Sequence, residues 1–388
     1  MANSPIAAVT PPHVRDARLA TSLAKRNDEA GRAPAPESTV IRLYGTRQAA
    51  PSDTRPSPHK HVLARRALSI LIVAHNAADR IDTQLEMLAV AARYRDWQVI
   101  VIDNASTDGT AERIEARFDW VRLIRSPVNL GYAAACNLAA QEALGALLLF
   151  LHPGAHAQPA MIARAAARML VNPQVGIAGG RLVDRQGYDV PTSHRFPTTL
   201  GDAFAWRGPA AHGEQSRHPA LDPDLLPRPP ARRVDWVSDA FAIVRHDVFR
   251  YLDGFDTRFF MYCEDIDFCR RVGEAGFEVM VWPDVRARFV ARTHADAWFE
   301  PQAAAQRERW RLRSRLLYLG KHRGTTSAWL ANRVESAWLT LAGWGYRCGG
   351  GLSSSGQGHR HALARRAQVE DAWRATDGGR NAPPGPWQ

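Results

Sequence analysis

Three acidic residues lie close together in the segment FFMYCEDIDFCRR: Glu264, Asp265 and Asp267. The segment is predicted to begin a helix, and aromatic and apolar residues crowd the acids on their N-terminal side. Acids at a helix N-terminus commonly do no more than complement the helix dipole. Partial burial, however, raises the pKa of a carboxylate and suits it to act as a general base. The segment therefore predicts either a stabilised helix start or an acid–base site.

A second group of polar residues follows two predicted buried strands. His75 and Asn76 come directly after LSILIVA, and Asp103 and Asn104 end WQVIVIDN. Turn formation and helix capping are one explanation, because Asn, Ser, Asp and Gly favour both. A carboxylate at the carboxyl end of a strand can instead accept hydrogen bonds from a base or a ribose. The GxGxxG signature is missing, which argues against NAD.

Two further segments end at positions where a ligand could bind. In NLGYAAACN, Asn129 and Gly131 precede a predicted helix, so backbone N–H groups could face a phosphate; a tight turn is the simpler explanation for the glycine. In LLLFLHPGAH, a run of large apolar residues stops at His152, Pro153 and Gly154, with His156 two residues later. A buried strand is predicted to end there.

These residues need a common scaffold. Apolar strands alternate with amphipathic helices from Leu68 to Leu151, which predicts an α/β fold with a mostly parallel central sheet covered by helices. In such sheets, ligands bind beyond the carboxyl ends of the strands. His75, Asp103 and His152 would then line one edge.

The chain divides by composition into four parts. Residues 1–66 are predicted to be a disordered N-terminal arm, residues 67–324 a single folded domain, residues 325–348 an amphipathic helical extension, and residues 349–388 a disordered tail. The extension spaces three tryptophans so that they could lie in a membrane interface, and a basic run precedes it. Those tryptophans could equally pack on the domain.

Composition limits the kinds of partner. The formal net charge of +11 favours an anionic partner: nucleic acid, a phosphorylated substrate or an anionic membrane surface. No aromatic-and-basic recognition motif supports specific nucleic-acid binding. The four cysteines form no CxxC pair, and no spanning segment or secretory signal is evident. These features predict a cytoplasmic protein.

Taken in order, LSILIVAHN, VIVIDNASTDGT, VRLIRSPVNLGYAAACN, RFPT, GFDTRFFMYCEDIDFCRRVGEAGFEV and KHRG resemble glycosyltransferase family 2, most closely its rhamnosyltransferase-like branch. That branch builds cell-surface polysaccharides. The likeness covers about residues 68–324. It implies a GT-A-type domain that moves a sugar from a nucleotide-diphosphate donor to a glycan or lipid-linked acceptor. Rhamnose is the commonest donor sugar in the branch. The resemblance also implies that the enzyme acts at the inner face of the cytoplasmic membrane.

The resemblance also implies roles for individual residues. Asp265 would deprotonate the acceptor hydroxyl, with Glu264 beside it, and the hydroxyl would attack the anomeric carbon with inversion. Asp103 would contact the nucleoside, while Asn129 and Gly131 would line the diphosphate-sugar pocket. The full donor-binding set is His75, Asn76, Asp103, Asn104, Asn129, Gly131 and His152.

One element of the family pattern is missing. The family places an acidic ligand for a divalent metal, Mg or Mn, after the fourth strand, where this chain has His152-Pro153-Gly154. Three explanations stay open. His152 or His156 could hold a softer ion; an arginine (Arg181, Arg195 or Arg292) could stabilise the diphosphate without metal; or the chain is a non-catalytic homologue that acts as a binding or scaffolding subunit.

Overall fold

The computed structural model describes residues 66–198, 230–290, 301–348 and 354–383. The first half alternates strands and helices, as the apolar pattern predicts. Its elements are β1 (Arg66–Ala74), α1 (Ile81–Tyr94), β2 (Trp97–Asn104), α2 (Thr110–Arg117), β3 (Arg122–Ser126), α3 (Tyr132–Gln141), β4 (Gly145–Leu151), β5 (Ala155–Ala157), α4 (Pro159–Val171) and β6 (Val175–Val183).

The second half is less regular. Short strands β7 (Asp189–Val190), β8 (Ser193–His194), β9 (Arg232–Arg233) and β10 (Trp236–Val237) precede β11 (Phe241–Arg245), α5 (His246–Tyr251), α6 (Glu264–Glu274) and β12 (Glu278–Phe289). Three long helices follow: α7 (Pro301–Arg323), α8 (Thr325–Cys348) and α9 (Ser354–Ala375).

The main sheet has the strand order β3-β2-β1-β4-β11-β6-β12-β5. Strands β3, β2, β1 and β4 are parallel, so their carboxyl ends meet at one edge. Strand β11 pairs antiparallel with β4, in a register that sets Phe241 opposite Leu151. The residues before β11 therefore lie beside the residues after β4. The predicted α/β fold with a mostly parallel sheet is confirmed.

Helices cover both faces of this sheet, and each face has its own apolar core. Leu85 and Ile162 belong to one core, whereas Phe150 and Phe268 belong to the other. The strands between the two cores are apolar on both sides, which explains their continuous rather than alternating hydrophobic pattern.

The C-terminal part differs from the predicted disordered tail. Helix α9 packs on α7 and α8 and buries Val369 and Ala372 at 2% and 1% exposure. A buried ion pair between Arg315 and Glu335 (2.6 Å) joins α7 to α8. The prediction was wrong because the segment is rich in Gly, Ser and Arg and has few apolar residues. Those few lie on one side of the helix and are buried only by packing on α7 and α8. The predicted arm over residues 1–66 lies, except for Arg66, outside the described residues.

Candidate active site

The ends of β1 and β2 are joined by side chains that the sequence singled out. Ala74 pairs with Asp103, and the next residue, His75, bonds through Nδ1 to the backbone oxygen of Asn104 at 2.8 Å. Asn76 adopts a positive φ of 48°, and its Oδ1 accepts the backbone N–H of Thr107 at 2.9 Å. These bonds fix the two loops side by side at the carboxyl edge of the sheet.

Asp103 lies in this edge with one oxygen unsatisfied. It is only 4% exposed, and its Oδ2 accepts the backbone N–H of Ser106 at 3.3 Å. Its Oδ1 is buried and has no hydrogen-bond partner. Because buried acceptors are nearly always satisfied in folded proteins, an orphaned one at the carboxyl edge of the sheet suggests a ligand donor such as a ribose hydroxyl or a base N–H.

The loop from Asn129 to Gly131 is held by its own hydrogen bonds. Asn104 donates through Nδ2 to Asn129 Oδ1 at 3.0 Å, and Asn129 Oδ1 also accepts the backbone N–H of Gly131 at 3.0 Å. The next N–H, of Tyr132, donates to the Phe260 carbonyl at 2.7 Å. These two N–H groups therefore already have partners within the protein, and a phosphate contact at this helix start stays a prediction.

Gly131 is required by close packing. Its φ is 79°, and a Cβ there would lie 2.4 Å from the carbonyl oxygen of Phe260. The loop consequently brings the start of α3 against the segment that leads into α6. The loop of Asn129 to Gly131, held by Asn104, thus forms one wall of the site.

A cluster of three carboxyl groups lies at the same edge: Asp239, Glu264 and Asp265. Asp239 precedes β11, and the pairing of β11 with β4 brings it there; the backbone N–H of His152 donates to Ala240 O at 3.0 Å. The Asp239 side chain bonds with Ser238, the Tyr132 hydroxyl and Glu264. Two acids from α6 and one from the sheet therefore share one site.

The carboxyl groups of this cluster hold protons unusually tightly. Burial raises the pKa of Asp239 to about 6, partly offset by its hydrogen bonds. Burial, and then the charge of Asp239, raise the pKa of Glu264 well above its usual range, and the same two causes act on Asp265. Burial and like charges both disfavour the ionised form. The hydrogen bond between the two side chains raises the pKa of Glu264 and lowers that of Asp239, as expected when Glu264 is the donor.

Asp265 keeps part of its surface accessible to solvent, as Asp239 does. It is half-buried, whereas Glu264 is 4% exposed. Glu264 Oε2 has no hydrogen-bond partner. A half-buried carboxyl group with a raised pKa, next to an unsatisfied buried oxygen, has the environment expected of a general base.

Asp267, the third acid of the motif, has a structural environment instead. It is fully buried and accepts hydrogen bonds from Arg271 (2.8 Å) and His322 (2.7 Å), and the Lys321 ammonium lies 2.5 Å away. Burial acts to raise the pKa of Asp267, but these cationic and hydrogen-bonding partners outweigh it and lower the pKa. The KHRG segment thereby anchors α7 on α6.

Sequence reasoning did not single out Asp239. Its signal was an acid directly before the buried strand AFAIV, in VDWVSDAFAIV. The local sequence does not show that Asp239 lies near the end of β4, because the antiparallel pairing of β11 with β4 is a long-range contact. The acids of α6, in contrast, were found from the local pattern of a helix start.

The residues after β4 do not fit a divalent metal. His152 is half-buried, and its Nδ1 accepts the backbone N–H of Gly154 at 3.0 Å. His156 has a buried, unpartnered Nε2, but the charges of Arg288 and Arg185 act on that ring. The described parts of the chain contain no group of three or more His, Cys, Asp or Glu residues able to hold a metal.

An acid at position 154 would not restore the usual ligand. A Cβ on Gly154 would lie 2.7 Å from the backbone oxygen of Val290. Of the arginines predicted to replace a metal, Arg181 makes a two-fold ion pair with Asp189. Arg195 lies beside β8, where its backbone oxygen accepts from Trp236, and Arg292 lies outside the described residues.

Comparison with known proteins finds a family match over part of the chain. Residues 69–225 match Glycosyl transferase family 2. An N-acetylglucosaminyl-diphospho-decaprenol L-rhamnosyltransferase of Mycobacterium tuberculosis is 28% identical over 299 residues, 72% of this chain and 89% of that protein. Rhamnosyltransferase WbbL of Escherichia coli is 37% identical over 90 residues, 23% of this chain and 32% of WbbL.

Among solved structures, a mannosyltransferase from Pyrobaculum calidifontis in complex with GDP-Man and Mn²⁺ has a TM-score of 0.47 and 16% identity, covering 82% of this chain and 88% of that one. The family match includes Asp103 and His152, whereas the acids of α6 lie beyond it. Residues 69–225 therefore match glycosyltransferase family 2, and this match, together with the rhamnosyltransferase relative, supports glycosyltransferase activity.

Proposed function

We propose that this enzyme transfers a sugar, with inversion, from a nucleotide-diphosphate donor to a lipid-linked glycan acceptor during cell-surface polysaccharide synthesis. The observation that carries the proposal is the cluster of Asp239, Glu264 and Asp265 at the edge where Asp103 presents an unsatisfied oxygen. A nucleotide contact and an acid–base group thus share one edge of the sheet.

In the proposed reaction, Asp265 is the general base. Its carboxylate takes the proton of the acceptor hydroxyl as that oxygen attacks the anomeric carbon. The bond from the anomeric carbon to the diphosphate oxygen breaks, and the nucleoside diphosphate leaves with the electron pair. A base whose pKa is raised toward the working pH removes a proton more effectively than an ordinary carboxylate. The charge of Asp239 contributes to that increase.

The nucleoside is proposed to bind between the ends of β1 and β2. Asp103 Oδ1 would accept a hydrogen bond from the base or ribose. His75, Asn76 and Asn104 would hold the two loops at the spacing that their mutual bonds show. The sugar would then extend along the wall formed by Asn129 and Gly131 toward the acid cluster.

The names of the relatives suggest the substrates. The Mycobacterium tuberculosis relative is named for transfer of L-rhamnose to an N-acetylglucosaminyl-diphospho-decaprenol. We propose the same classes here: a nucleotide-diphosphate rhamnose as donor and a polyprenyl-diphosphate-linked sugar as acceptor. A lipid-linked acceptor requires the active site to lie close to a membrane.

Helix α8 offers a surface for that contact. No helix in the described ranges is long and apolar enough to cross a membrane. One face of α8 is nevertheless exposed and apolar: Trp338 is 44% exposed, Leu341 66% and Trp344 69%. Arg333, on the same face, lies over the ring of Trp329. Tryptophan and arginine together suit the interface of an anionic bilayer, so we propose peripheral binding there, at the inner face of the cytoplasmic membrane.

Point variants test the membrane surface without removing α8, whose other face is buried against α7 and α9. The triple variant W338S/L341S/W344S should sediment much less with phosphatidylglycerol vesicles than the wild type. Both proteins should stay in solution with phosphatidylcholine alone. Unchanged sedimentation on the anionic vesicles would remove this surface from the proposal.

Product analysis tests the transfer itself. The purified enzyme is incubated with dTDP-rhamnose and a polyprenyl-diphosphate N-acetylglucosamine analogue, and the product linkage is determined by NMR. We expect a rhamnosylated lipid whose anomeric configuration is opposite to that of the donor. Nucleotide binding without transfer from any nucleotide sugar to lipid-linked or glycan acceptors would instead favour a non-catalytic binding subunit.

A further inference from the structure

We propose that the guanidinium of Arg80, in place of a divalent metal, neutralises the donor diphosphate in this enzyme. The inference rests on the proposed function, because it assigns a residue to the leaving group of that reaction. It concerns an arginine that lies directly before α1 and beside the residues that follow β4.

Hydrogen bonds hold Arg80 at this place. Gln84, one turn into α1, accepts the backbone N–H of Ala157 at 2.8 Å, which ties the start of the helix to β5. The ring of His156 bonds to the backbone of Arg80. Arg80 Nη2 donates to the backbone oxygen of Asn76 at 2.7 Å. The side chain is thus fixed between the loop after β1 and the loop after β4.

The guanidinium retains hydrogen-bonding capacity. The side chain is 16% exposed, and Nε is buried without a hydrogen-bond partner. Asp79 Oδ1 lies 3.0 Å from Nε, but the direction of the N–H excludes a hydrogen bond, and the Asp79 carboxylate is 63% exposed. An arginine has five N–H donors in a planar fork that matches phosphate oxygens. Only one of these donors, on Nη2, is used by Asn76, so the fork retains donors for a diphosphate.

The charges that act on the two histidines after β4 are positive. His152 is kept neutral, because burial and then the charge of Arg80 lower its pKa to about 4. Burial, and then the charges of Arg288 and Arg185, lower the pKa of His156, although its bond to the backbone of Arg80 opposes them. Positive charges repel a dication and attract a diphosphate, most strongly where solvent is partly excluded. A side chain at position 154, where the family has its metal-binding acid, would clash with the backbone oxygen of Val290.

Calorimetric titration with dTDP, UDP and GDP, each in EDTA and in excess Mg²⁺, tests this assignment. The wild type should bind its preferred diphosphate with similar affinity in both buffers. Since hydrogen bonds to charged groups are strong, Arg80→Gln should weaken that affinity about tenfold or more. Binding of the matching nucleoside should not change. Arg80→Lys, which keeps the charge but loses the fork, should fall between the two.

Arg122 provides the matched control. It is 60% exposed at the start of β3, at the sheet edge opposite the site. Arg122→Gln should bind every nucleotide as the wild type does, and thermal unfolding verifies that each variant is folded. Wild-type binding that EDTA abolishes, or unchanged diphosphate binding by Arg80→Gln, would overturn the role of Arg80 and leave the proposed function standing. If the wild type binds no nucleotide in either buffer, the proposed function itself fails.

Discussion

Asp265 and Asp267 are two residues apart in the first turn of α6, yet they have opposite surroundings. Asp265 faces Asp239 and Glu264, and burial with like charge raises its pKa. Asp267 faces His322, Arg271 and Lys321, which lower its pKa. The residue type and the helix position are shared, so the difference comes entirely from what the rest of the fold places on each side. In the proposed mechanism Asp265 is the base, whereas the ion pairs of Asp267 stabilise the fold.

The largest expected effect is the loss of transfer in Asp265→Asn. An amide cannot accept the proton of the acceptor hydroxyl, so the rate of transfer should fall by about 10² to 10⁴, the usual contribution of a general base. Nucleotide binding should stay near the wild-type value. Rate measurements with saturating donor, together with titration of the nucleoside diphosphate, check this expectation.

Asp267→Asn should act on stability instead. The substitution leaves the cationic partners of Asp267 facing a neutral amide inside the protein, and breaking a buried pair in this way costs about 3–5 kcal/mol. Denaturant unfolding at pH 7 measures the loss. Transfer per folded molecule should change little, so a variant that is stable but inactive would contradict the structural role.

Asp239→Asn should change both properties in directions set by linkage. The pKa of Asp239 is raised from 3.8 to about 6, so its ionised form costs stability above that pH, and the cost disappears as the pH falls toward 3.8. The variant should therefore be more stable than the wild type at pH 8, by on the order of 1 kcal/mol, and the gain should vanish near pH 4.

The same variant should move the activity profile. Removing the charge of Asp239 lowers the pKa of Asp265, so the base stays ionised to lower pH, and the acid limb of the rate profile should shift downward. The comparison is between the wild type and Asp239→Asn across pH 4–8, with thermal unfolding at pH 4 and pH 8. An unshifted acid limb would show that the two carboxyl groups do not interact.

Arg125→Ala should have the smallest effect. Arg125 pairs with Glu112 and Glu115 on the surface of β3 and α2, and its side chain is 42% exposed. Exposed pairs contribute little because water screens them. The melting temperature and the rate of transfer should both stay close to those of the wild type. A large loss would show that exposed ion pairs matter here as much as the buried partners of Asp267.

Local pattern was sufficient to predict the parts of the site that depend on neighbours in the chain. The apolar runs predict the strands. Because parallel strands end at one edge of a sheet, His75 and Asp103 were expected to lie close together, and the bond from His75 to Asn104 agrees with this. The acids of α6 were found because a helix start has a recognisable composition. These elements are set by periodicity over a few residues.

The remaining features depend on contacts that are distant in sequence. Asp239 joins the acid cluster only through the pairing of β11 with β4, and Asp267 is paired by residues from α7. Arg80 resembles an ordinary polar residue before a helix until β5 brings His156 against it. Helix α9 was not predicted because its few apolar residues are buried only through packing on α7 and α8.

The most direct test compares Asp265→Asn and Asp267→Asn in one experiment, with transfer per folded molecule and the free energy of unfolding measured for both. We predict that Asp265→Asn is folded, at least as stable as the wild type at pH 8, and inactive, whereas Asp267→Asn is destabilised but active when folded. Full transfer by Asp265→Asn, or the same loss of stability in both variants, would contradict the account.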